Sequence, residues 1–351
     1  MKSKFQVVKL GWLVLVALTF ALIGCASQTP APTVTDPVTI RFGYFPNITH
    51  AQAVIGIADG TFQNAVGSNV KIDPKIFNAG PAAIEAMFAG QLDLTYIGPN
   101  PAINGYVKSN GEALRIVAGA TSGGAVLVVR GDAGITKASD FAGKKIASPQ
   151  LGNTQDVALR GWLLKQGLVL KEQGGTTQVI PIANPDILTL FQKKEIDAAW
   201  VPEPWGARLV REASGKIFLD ERDLWPQGQF VTAQIIVSTQ FLKAHPDVVK
   251  KILAAHVELT QRINADPTTA KQKLNQEIER LTGAALASQV LDDAWGRQLV
   301  TYDPISSSLT GSADAAFSAG FLGDTKPNLD NIYDLTILNQ VLREKNLPAV
   351  K

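Results

Sequence analysis

The chain has 351 residues, of which 46% are apolar and 18% are charged, so it is long and apolar enough to build more than one hydrophobic core. Its 33 basic and 31 acidic residues nearly balance, and no charge excess points to a nucleic-acid partner. Cys25 is the only cysteine, which excludes a disulfide within the chain.

The first predicted element is a lipoprotein signal peptide at residues 1–24. Three lysines precede an uncharged run at residues 10–23, and this run is shorter than the roughly 20 apolar residues that span a membrane. A one-pass membrane anchor is the alternative. Because Leu22-Ile23-Gly24-Cys25 resembles the bacterial lipobox, the resemblance implies that Cys25 carries a lipid.

Residues 25–37 are predicted to be a tether, since they contain three prolines among Ser, Thr and Gln and show no apolar periodicity. The tether would hold the folded part of the chain off the membrane surface. We therefore expect an exported protein that is lipid-anchored to the outer face of the cell membrane or lies in the periplasm. Its contact with the membrane would be the N-terminal lipid.

Short apolar or β-branched runs then alternate with longer amphipathic stretches. The runs predicted as strands are residues 38–42, 70–77, 92–97, 114–118, 125–129, 145–147, 198–201 and 233–237. Strands that alternate with helices predict an α/β fold with largely parallel sheets covered on both faces.

Two segments of the chain share one pattern at an offset of 104 residues. Pro81 and Pro185 each begin a predicted helix, and each helix is followed by an acidic turn and an apolar strand that ends in a Pro-containing loop. The pattern favours two related lobes. Chance similarity between two helix-to-strand units is the alternative.

The chain becomes helical after the last predicted strand, with helices expected at residues 246–264, 267–281 and 286–299. We expect these helices to clad one lobe. Lobe I is assigned to residues 38–122 and 233–351, and lobe II to residues 123–232. Two crossovers between the lobes would form a hinge.

Several loops that follow strands and precede helices are rich in Gly, Pro, Asn, Ser and Thr. Free backbone N–H groups and the helix dipole favour an oxyanion at such places. The residues predicted to bind a ligand there are Asn47, His50, Gly80, Pro81, Asn100, Ser122, Gly123, Asn153, Thr154 and Gln155. For each loop alone, an ordinary helix cap or a flexible connection is the alternative, and His50 is equally expected as a solvated or capping residue.

Three further residues are predicted to contact a ligand by other chemistry. Glu203 lies just ahead of a helix and either pairs with a cationic part of a zwitterionic ligand or caps that helix. Trp205 either forms a wall for the ligand or fills the core. Tyr302 is a further candidate for a wall.

Four motifs resemble the sulfonate, nitrate and taurine group of ABC-importer substrate-binding proteins. They are Phe42-Gly43-Tyr44-Phe45-Pro46-Asn47, Tyr96-Ile97-Gly98-Pro99-Asn100-Pro101-Ala102, Gln150-Leu151-Gly152-Asn153-Thr154-Gln155-Asp156 and Val201-Pro202-Glu203-Pro204-Trp205. The resemblance covers residues 38–237. It implies a type II periplasmic-binding-protein fold, two α/β lobes with a ligand cleft between them, and an ABC permease with its ATPase as partners.

The ligand expected from these observations is a small organic anion, an aliphatic sulfonate such as taurine or an alkanesulfonate. The same family includes binders of nitrate, bicarbonate and thiamine-precursor pyrimidines, which remain alternatives. An enzyme similar to thiamine-pyrimidine synthases would need a cysteine-rich motif that this chain lacks, and a sensory lipoprotein is a further alternative. We expect a monomer without an enzymatic activity, a cofactor or a metal.

Overall fold

The computed structural model describes residues 38–351. The predicted signal peptide, the lipid on Cys25 and the tether lie outside the described residues. None of the helices within residues 38–351 is both long and apolar enough to cross a membrane.

The first sheet has six strands in the spatial order β11, β4, β10, β3, β1, β2. These strands are β1 (Val38–Tyr44), β2 (Val70–Ile76), β3 (Leu94–Ile97), β4 (Leu114–Gly123), β10 (Val231–Ser238) and β11 (Gln298–Val300). β1 is parallel to both β2 and β3, whereas β10 is antiparallel to β3 and β4. β11 adds an antiparallel edge to β4.

The second sheet has five strands in the spatial order β7, β6, β8, β5, β9. These strands are β5 (Ala125–Arg130), β6 (Lys145–Ser148), β7 (Gln178–Pro181), β8 (Ala198–Pro202) and β9 (Gly215–Asp220). β6 is parallel to β7 and β8, and β5 is antiparallel to β8 and β9. Both sheets are therefore mixed rather than largely parallel as predicted, because two of the five strand pairings in the first sheet and two of the four in the second are parallel.

Helices cover the faces of both sheets. They are α1 (Ala51–Ala58), α2 (Thr61–Val66), α3 (Gly80–Phe88), α4 (Pro99–Lys108), α5 (Thr154–Lys165), α6 (Asn184–Gln192), α7 (Trp205–Ala213), α8 (Thr239–Ala244), α9 (Pro246–Ala265), α10 (Pro267–Thr282), α11 (Ser288–Trp295), α12 (Ser306–Ser318) and α13 (Thr336–Glu344). The residues of α9, α10 and α13 pack into the core around Phe42 and Tyr96 of the first sheet.

Apolar side chains are buried on both faces of each sheet. Phe42 and Tyr96 lie in a core on one face of the first sheet, and a separate core containing Ile97 and Ile236 lies on its other face. The second sheet has the same arrangement, with Trp200 in one core and Val201 in another. Because successive side chains of a strand point to opposite faces, a strand buried on both faces has a continuous apolar run.

All eight predicted strands are present, and three short strands were missed. β7, β9 and β11 lie at sheet edges and carry exposed or polar residues, so they lack the apolar runs that mark the others. The prediction of a helix through residue 299 is wrong. α11 ends at Trp295, and residues 298–300 pair instead with the edge of β4, where backbone hydrogen bonds are available.

The repeat seen in the sequence corresponds to two equivalent helix-to-strand units. α6 has the bounds of α3 shifted by 104 residues, and β3 and β8 follow at the same offset. The chain passes from the first sheet to the second at Gly124 and returns to the first sheet between β9 and β10. Both units therefore deliver their loops to the region where the two sheets face each other.

Candidate functional site

A small polar cavity lies where loops from the two sheets meet. The loops after β1, β2, β3, β6 and β7 contribute to it, together with the last residue of β8 and the second residue of β10. Five predicted binding residues line it, namely Asn47, His50, Asn153, Thr154 and Gln155. The other lining residues are Phe45, Thr49, Asn78, Gly98, Asn184, Pro202 and Thr232. We call this site the polar cavity.

Three helices begin at the polar cavity. Gly98 is the N-cap of α4, Asn153 is the N-cap of α5, and Asn184 is the first residue of α6. No side chain caps any of these three helix starts. The first backbone N–H groups of a helix have no acceptor within the helix, and each helix start carries roughly half a positive charge. Among the first three helical residues α5 has three N–H groups, α6 two and α4 one, because Pro99, Pro101 and Pro185 have none. The polar cavity therefore offers several partial positive charges to an anion.

Two buried polar atoms at the polar cavity have no hydrogen-bond partner within the described residues. They are Thr154 Oγ1 and Asn184 Oδ1. Buried polar atoms in native proteins are nearly always paired, because an unpaired one costs about 1–3 kcal/mol. The arrangement is thus incomplete without a bound group that supplies partners.

His50 is a neutral hydrogen-bond donor at the polar cavity. Its Nδ1 accepts a hydrogen bond from the backbone N–H of Phe45 at 3.2 Å, so the ring proton lies on Nε2. The ring stacks on Phe45 with centroids 4.5 Å apart. Burial lowers the pKa of His50 to about 3, so the side chain provides a donor but no positive charge near neutral pH.

The polar cavity holds no formal charge among its described lining residues, since they include no Lys, Arg, Asp or Glu. An anion there would be held by dipoles and hydrogen bonds. Such a site does not carry the desolvation cost of a buried ammonium or guanidinium group. The arrangement suits a small oxyanion with several acceptor oxygens.

Loops and helix starts attached to the two sheets are in direct contact beside the polar cavity. Gly98, after β3 of the first sheet, lies so close to Thr154 of the second that a Cβ atom at Gly98 would overlap Thr154 Oγ1. Trp205 Nε1 also donates to Asn47 Oδ1 at 3.3 Å. The space open to water centres in the polar cavity is about 20 Å³, room for about one water molecule. The structure thus represents a closed arrangement.

A larger cavity adjoins the polar one between α5 and α12. Trp162, Trp225 and Phe230 contribute to its walls, and we call it the aromatic cavity. The volume of the aromatic cavity that is open to the centres of water molecules is about 220 Å³. Thr154 lines both cavities. Asn100, another predicted binding residue, lines the aromatic cavity, and its Nδ2 donates to the backbone oxygen of Ser312 at 2.9 Å.

Four predicted binding residues pack away from the polar cavity. The position of a Cβ at Gly80 is filled by Pro101, and Pro81 lines a separate groove on the protein surface. Ser122 accepts a hydrogen bond from the backbone N–H of Phe230 at 3.3 Å, and Gly123 has a φ of 73° where the chain leaves the first sheet. In this closed arrangement these residues shape the loops and the connection between the sheets.

Glu203 makes internal contacts with both carboxylate oxygens. Oε2 accepts from the backbone N–H of Ala207 at 2.9 Å, and Oε1 accepts from Arg297 Nη1 at 2.7 Å. The capping alternative thus describes its position, with an added ion pair that the sequence did not indicate. Burial raises the pKa of Glu203 in spite of Arg297.

The aromatic residues predicted as ligand walls, Trp205 and Tyr302, do not line the polar cavity. Tyr44 is buried in the core of the first sheet, and Tyr302 packs at the edge of that core. Trp205 is held between Asn47 and the guanidinium group of Arg208, which lies 4.8 Å from its ring centroid. The aromatic cavity beside Thr154 is walled by Trp162, Trp225 and Phe230, none of which belongs to the four motifs.

Asn184 and Thr232 were missed by the analysis of the sequence. Asn184 is the counterpart of Gly80 at the 104-residue offset, so the repeat contained the signal that would have found it. Thr232 lies in a strand and had no local signal, because only the antiparallel insertion of β10 between β3 and β4 brings it to the polar cavity.

Replacing His50 with asparagine is expected to flatten the dependence of stability on pH. The pKa of His50 rises from about 3 in the folded protein to 6.5 on unfolding, so the unfolded chain binds the proton first and stability falls as the pH drops below 6.5. The slope is about 1.4 kcal/mol per pH unit for one such histidine. Urea unfolding of both proteins at pH 7 and pH 5 measures the difference, and equal slopes would contradict the assignment.

Within residues 38–351, no group of three or more His, Cys, Asp and Glu side chains is placed to hold a metal ion. The two buried histidines both lie near Tyr96, whose ring centroid is 6.1 Å from that of His50 and 5.6 Å from that of His256. His50 lines the polar cavity, whereas His256 Nδ1 lies 2.7 Å from the hydroxyl oxygen of Tyr96 and His256 Nε2 lies 2.9 Å from the backbone oxygen of Gly119.

Comparisons with known proteins agree with this fold. The model of the NMT1-like family matches residues 34–278. A protein of Brucella abortus (strain 2308), whose name describes it only as a binding protein, is 28% identical over 313 residues, which cover 84% of this chain and 89% of the relative.

Two solved structures match the fold over most of the chain. The alkanesulfonate-binding protein of Xanthomonas axonopodis pv. citri bound to MOPS has a TM-score of 0.69 at 18% identity, covering 83% of this chain and 96% of its own. The periplasmic nitrate-binding protein of Synechocystis PCC 6803 has a TM-score of 0.75 at 16% identity, covering 89% and 90%. The predicted fold and family are confirmed: the chain belongs to the NMT1-like family and has the two-lobed periplasmic-binding-protein fold of the sulfonate- and nitrate-binding proteins.

Proposed function

We propose that this protein is the exported solute-binding component of an ABC importer and that it binds an aliphatic sulfonate without chemical conversion. The observation that carries the proposal is the polar cavity, in which three uncapped helix starts meet the unpaired buried hydroxyl of Thr154, which can donate a hydrogen bond to an anion. A sulfonate has three oxygens that share one negative charge, so it can accept from several backbone donors at once.

A sulfonate is favoured over nitrate and bicarbonate by the aromatic cavity. That cavity shares Thr154 with the polar cavity and offers apolar walls for an organic tail. An inorganic anion would leave this space without a role. Sulfonates and nitrate are both named as ligands of proteins with this fold, since one solved neighbour is an alkanesulfonate-binding protein and another is a nitrate-binding protein.

Binding would bring the two lobes together around the anion, with the loops slightly farther apart than in this structure, because the polar cavity here has room for only about one water molecule. The donors of α4 belong to the first sheet and those of α5 and α6 to the second, so an anion between them interacts fully only when the sheets approach. A ligand shifts an open-to-closed equilibrium by its difference in affinity for the two states. An ABC permease would then recognise the closed form and receive the solute, with its ATPase supplying the energy.

The N-terminus would place the protein where this role requires it. A lipid on Cys25 would keep a monomeric binding protein on the outer face of the membrane, close to the permease. Mass spectrometry of the protein purified from membranes tests this part, because an unmodified Cys25 in the mature chain would rule out the anchor. Its outcome is independent of the test of ligand binding.

A panel of anions tests the ligand class by thermal unfolding. Taurine, alkanesulfonates, nitrate, bicarbonate, phosphonates and pyrimidines would be compared at equal concentrations. At 100 times its dissociation constant a ligand adds about 2.7 kcal/mol of stability, which raises the midpoint of a protein of this size by several degrees. We expect that shift from sulfonates.

The same panel is repeated with Thr154→Val, which keeps the shape of the side chain and removes the unpaired hydroxyl. We expect it to reduce the sulfonate shift. A shift with nitrate or bicarbonate alone would overturn the sulfonate class, and no shift with any anion would overturn the binding function.

A further inference from the structure

The carboxylate of Asp156, at the end of the motif that begins at Gln150, has no place in the proposed anion site. Asp156 lies in the first turn of α5 and is fully buried, but it does not line the polar cavity. Its Oδ1 accepts a hydrogen bond from Ser148 Oγ at 2.6 Å, and its Oδ2 accepts one from the backbone N–H of Gly152 at 2.9 Å. The carboxylate therefore joins the end of β6 to the loop that precedes α5.

The loop that Asp156 holds leads directly into the polar cavity. Residues 153–155, which follow this loop, all line that cavity. The loop has left-handed backbone conformations at Gln150, with a φ of 36°, and at Gly152, with a φ of 74°. The left-handed conformation is unfavourable for a residue with a side chain, and it persists where the surroundings fix it. The hydrogen bonds that Asp156 accepts supply such a restraint.

The charge of Asp156 by itself would oppose an anion in the polar cavity. The backbone N–H groups proposed to bind the anion belong to the same first turn of α5, and one helical turn is only about 5.4 Å long. Charges this close interact strongly inside a protein, where water screens them poorly. An unpaired carboxylate at Asp156 would therefore weaken the attraction of this helix start for an anion.

Arg160 supplies the opposite charge. It lies one turn further along α5, and its Nε donates to both carboxylate oxygens of Asp156 at 3.1 Å. The Arg160 side chain is buried, and its guanidinium group lies 5.9 Å from the ring centroid of Phe321. Its Nη1 also donates to the exposed Glu172. The pair of Asp156 and Arg160 carries no net charge, so the start of α5 keeps its attraction for an anion.

We propose that Asp156 is a positioning residue of the anion site and that Arg160 is its counter-charge, so that α5 presents a fixed loop to the anion without repelling it. This inference rests on the proposed function, because the counter-charge matters only when an anion occupies the polar cavity. It gives Arg160 an effect on affinity although Arg160 lines neither the polar nor the aromatic cavity.

Opposite effects of two substitutions on affinity test the counter-charge by calorimetry. Arg160→Met leaves the carboxylate of Asp156 unpaired, and we expect it to weaken binding of ethanesulfonate at least about tenfold, which corresponds to about 1.4 kcal/mol. Asp156→Asn removes the negative charge and keeps an acceptor for the N–H of Gly152, so ethanesulfonate should bind at least as tightly as to the wild-type protein. If both substitutions weaken binding alike, the ion pair has only a structural role and the counter-charge is overturned.

A double variant keeps the test decisive if Arg160→Met folds poorly. Arg160→Met combined with Asp156→Asn removes both charges, so we expect its affinity for ethanesulfonate to lie within about threefold of the wild-type value. A double variant that binds more than about tenfold more weakly than the wild-type protein would overturn the role of Arg160. Arg280→Met is the matched control and should leave the affinity unchanged. Arg280 pairs with the buried carboxylate of Glu277 on α10, and neither residue lines the polar cavity.

Hydrogen exchange without a ligand tests the positioning role separately. Asp156→Ala removes the acceptor for the N–H of Gly152, whereas Asp156→Asn keeps one. We expect amide exchange in residues 150–153 to be at least about tenfold faster in Asp156→Ala than in the wild-type protein, and nearly unchanged in Asp156→Asn. Equal exchange in the wild-type protein and in Asp156→Ala would overturn the positioning role.

The two measurements distinguish this inference from the proposed function. If ethanesulfonate does not bind to the wild-type protein, the sulfonate function and the counter-charge both fail, while hydrogen exchange still decides whether Asp156 positions the loop. If ethanesulfonate binds and the two single substitutions act alike, the proposed function stands and the counter-charge is wrong.

Discussion

Replacing Gly98 with valine is expected to abolish tight binding while leaving the fold intact. Gly98 has φ −73° and ψ 161°, a conformation that any residue adopts. The substitution therefore introduces no backbone strain. The new side chain would instead project onto Thr154, whose own Cβ lies 3.2 Å from the position of the added Cβ.

The loss arises because Gly98 and Thr154 belong to different sheets. Contact between them accompanies the closed arrangement in which α4, α5 and α6 face one cavity. A branched side chain at residue 98 would hold the sheets apart. The anion would then keep donors from one sheet only, and a loss of about 3 kcal/mol corresponds to more than a 100-fold weaker affinity.

Calorimetry with the ligand from the thermal panel and small-angle scattering with and without it measure the effect. The wild-type protein should become more compact with ligand, and Gly98→Val should not. Gly296→Ala is the control, because a Cβ there meets only ordinary contacts at 3.5 Å and 3.7 Å. Ligand-induced compaction that persists in Gly98→Val would contradict the closure model.

A double substitution sharpens the test. Thr154→Ala removes the oxygen atom that a Cβ at residue 98 would overlap. Gly98→Ala combined with Thr154→Ala should therefore regain compaction that Gly98→Ala alone loses, although the affinity stays reduced without the hydroxyl. Strictly additive effects of the two substitutions would show that the residues do not interact.

Replacing Arg297 with methionine is expected to destabilise the protein by about 3–5 kcal/mol at pH 8, because it leaves an unpaired charge inside the protein. Glu203 is fully buried, and Arg297 Nη1 is its cationic partner at 2.7 Å. Methionine retains the apolar stem of the arginine. Replacing the other partner, Glu203→Gln, should lower the free energy of unfolding by less, since Arg297 is 17% exposed and keeps contact with water.

The destabilisation should depend on pH. Burial already raises the pKa of Glu203 above its unfolded value of 4.5, and removing Arg297 raises it further. A carboxyl group whose pKa is raised by folding is protonated in both the folded and the unfolded state below pH 4.5. Between pH 4.5 and its pKa in the folded protein it is charged only in the unfolded chain, so the free energy of unfolding falls as the pH rises through this range. The deficit of Arg297→Met should therefore shrink as the pH falls towards 4.5.

Urea unfolding at pH 8 and pH 5 measures this difference. Arg211→Met is the control, because Arg211 pairs with Asp293 at 2.6 Å while 46% of its side chain is exposed. An exposed ion pair contributes only about 0–1 kcal/mol, so this control should change little at either pH. A deficit of Arg297→Met that is equal at both pH values would contradict the buried-charge explanation.

The amino-acid sequence by itself determined the α/β class, eight strands and several of the loops that line the polar cavity. It could do so because these features are local. An apolar run at Leu94–Ile97 and a proline at Pro99 define a strand and a helix start whatever lies around them. The 104-residue repeat also placed equivalent loops in both halves, including the one that contains Asn184.

Only the tertiary structure decided which of those loops share a cavity and which carboxylates are paired. Arg297 is 94 residues from Glu203 in the sequence, and nothing local to either residue indicates that they pair. Pairing and desolvation depend on distances between segments that local propensity does not specify. Gly80 and Asn184 have equivalent positions in the repeat, yet Pro101 packs against one while the other faces the polar cavity, because the sheets meet asymmetrically.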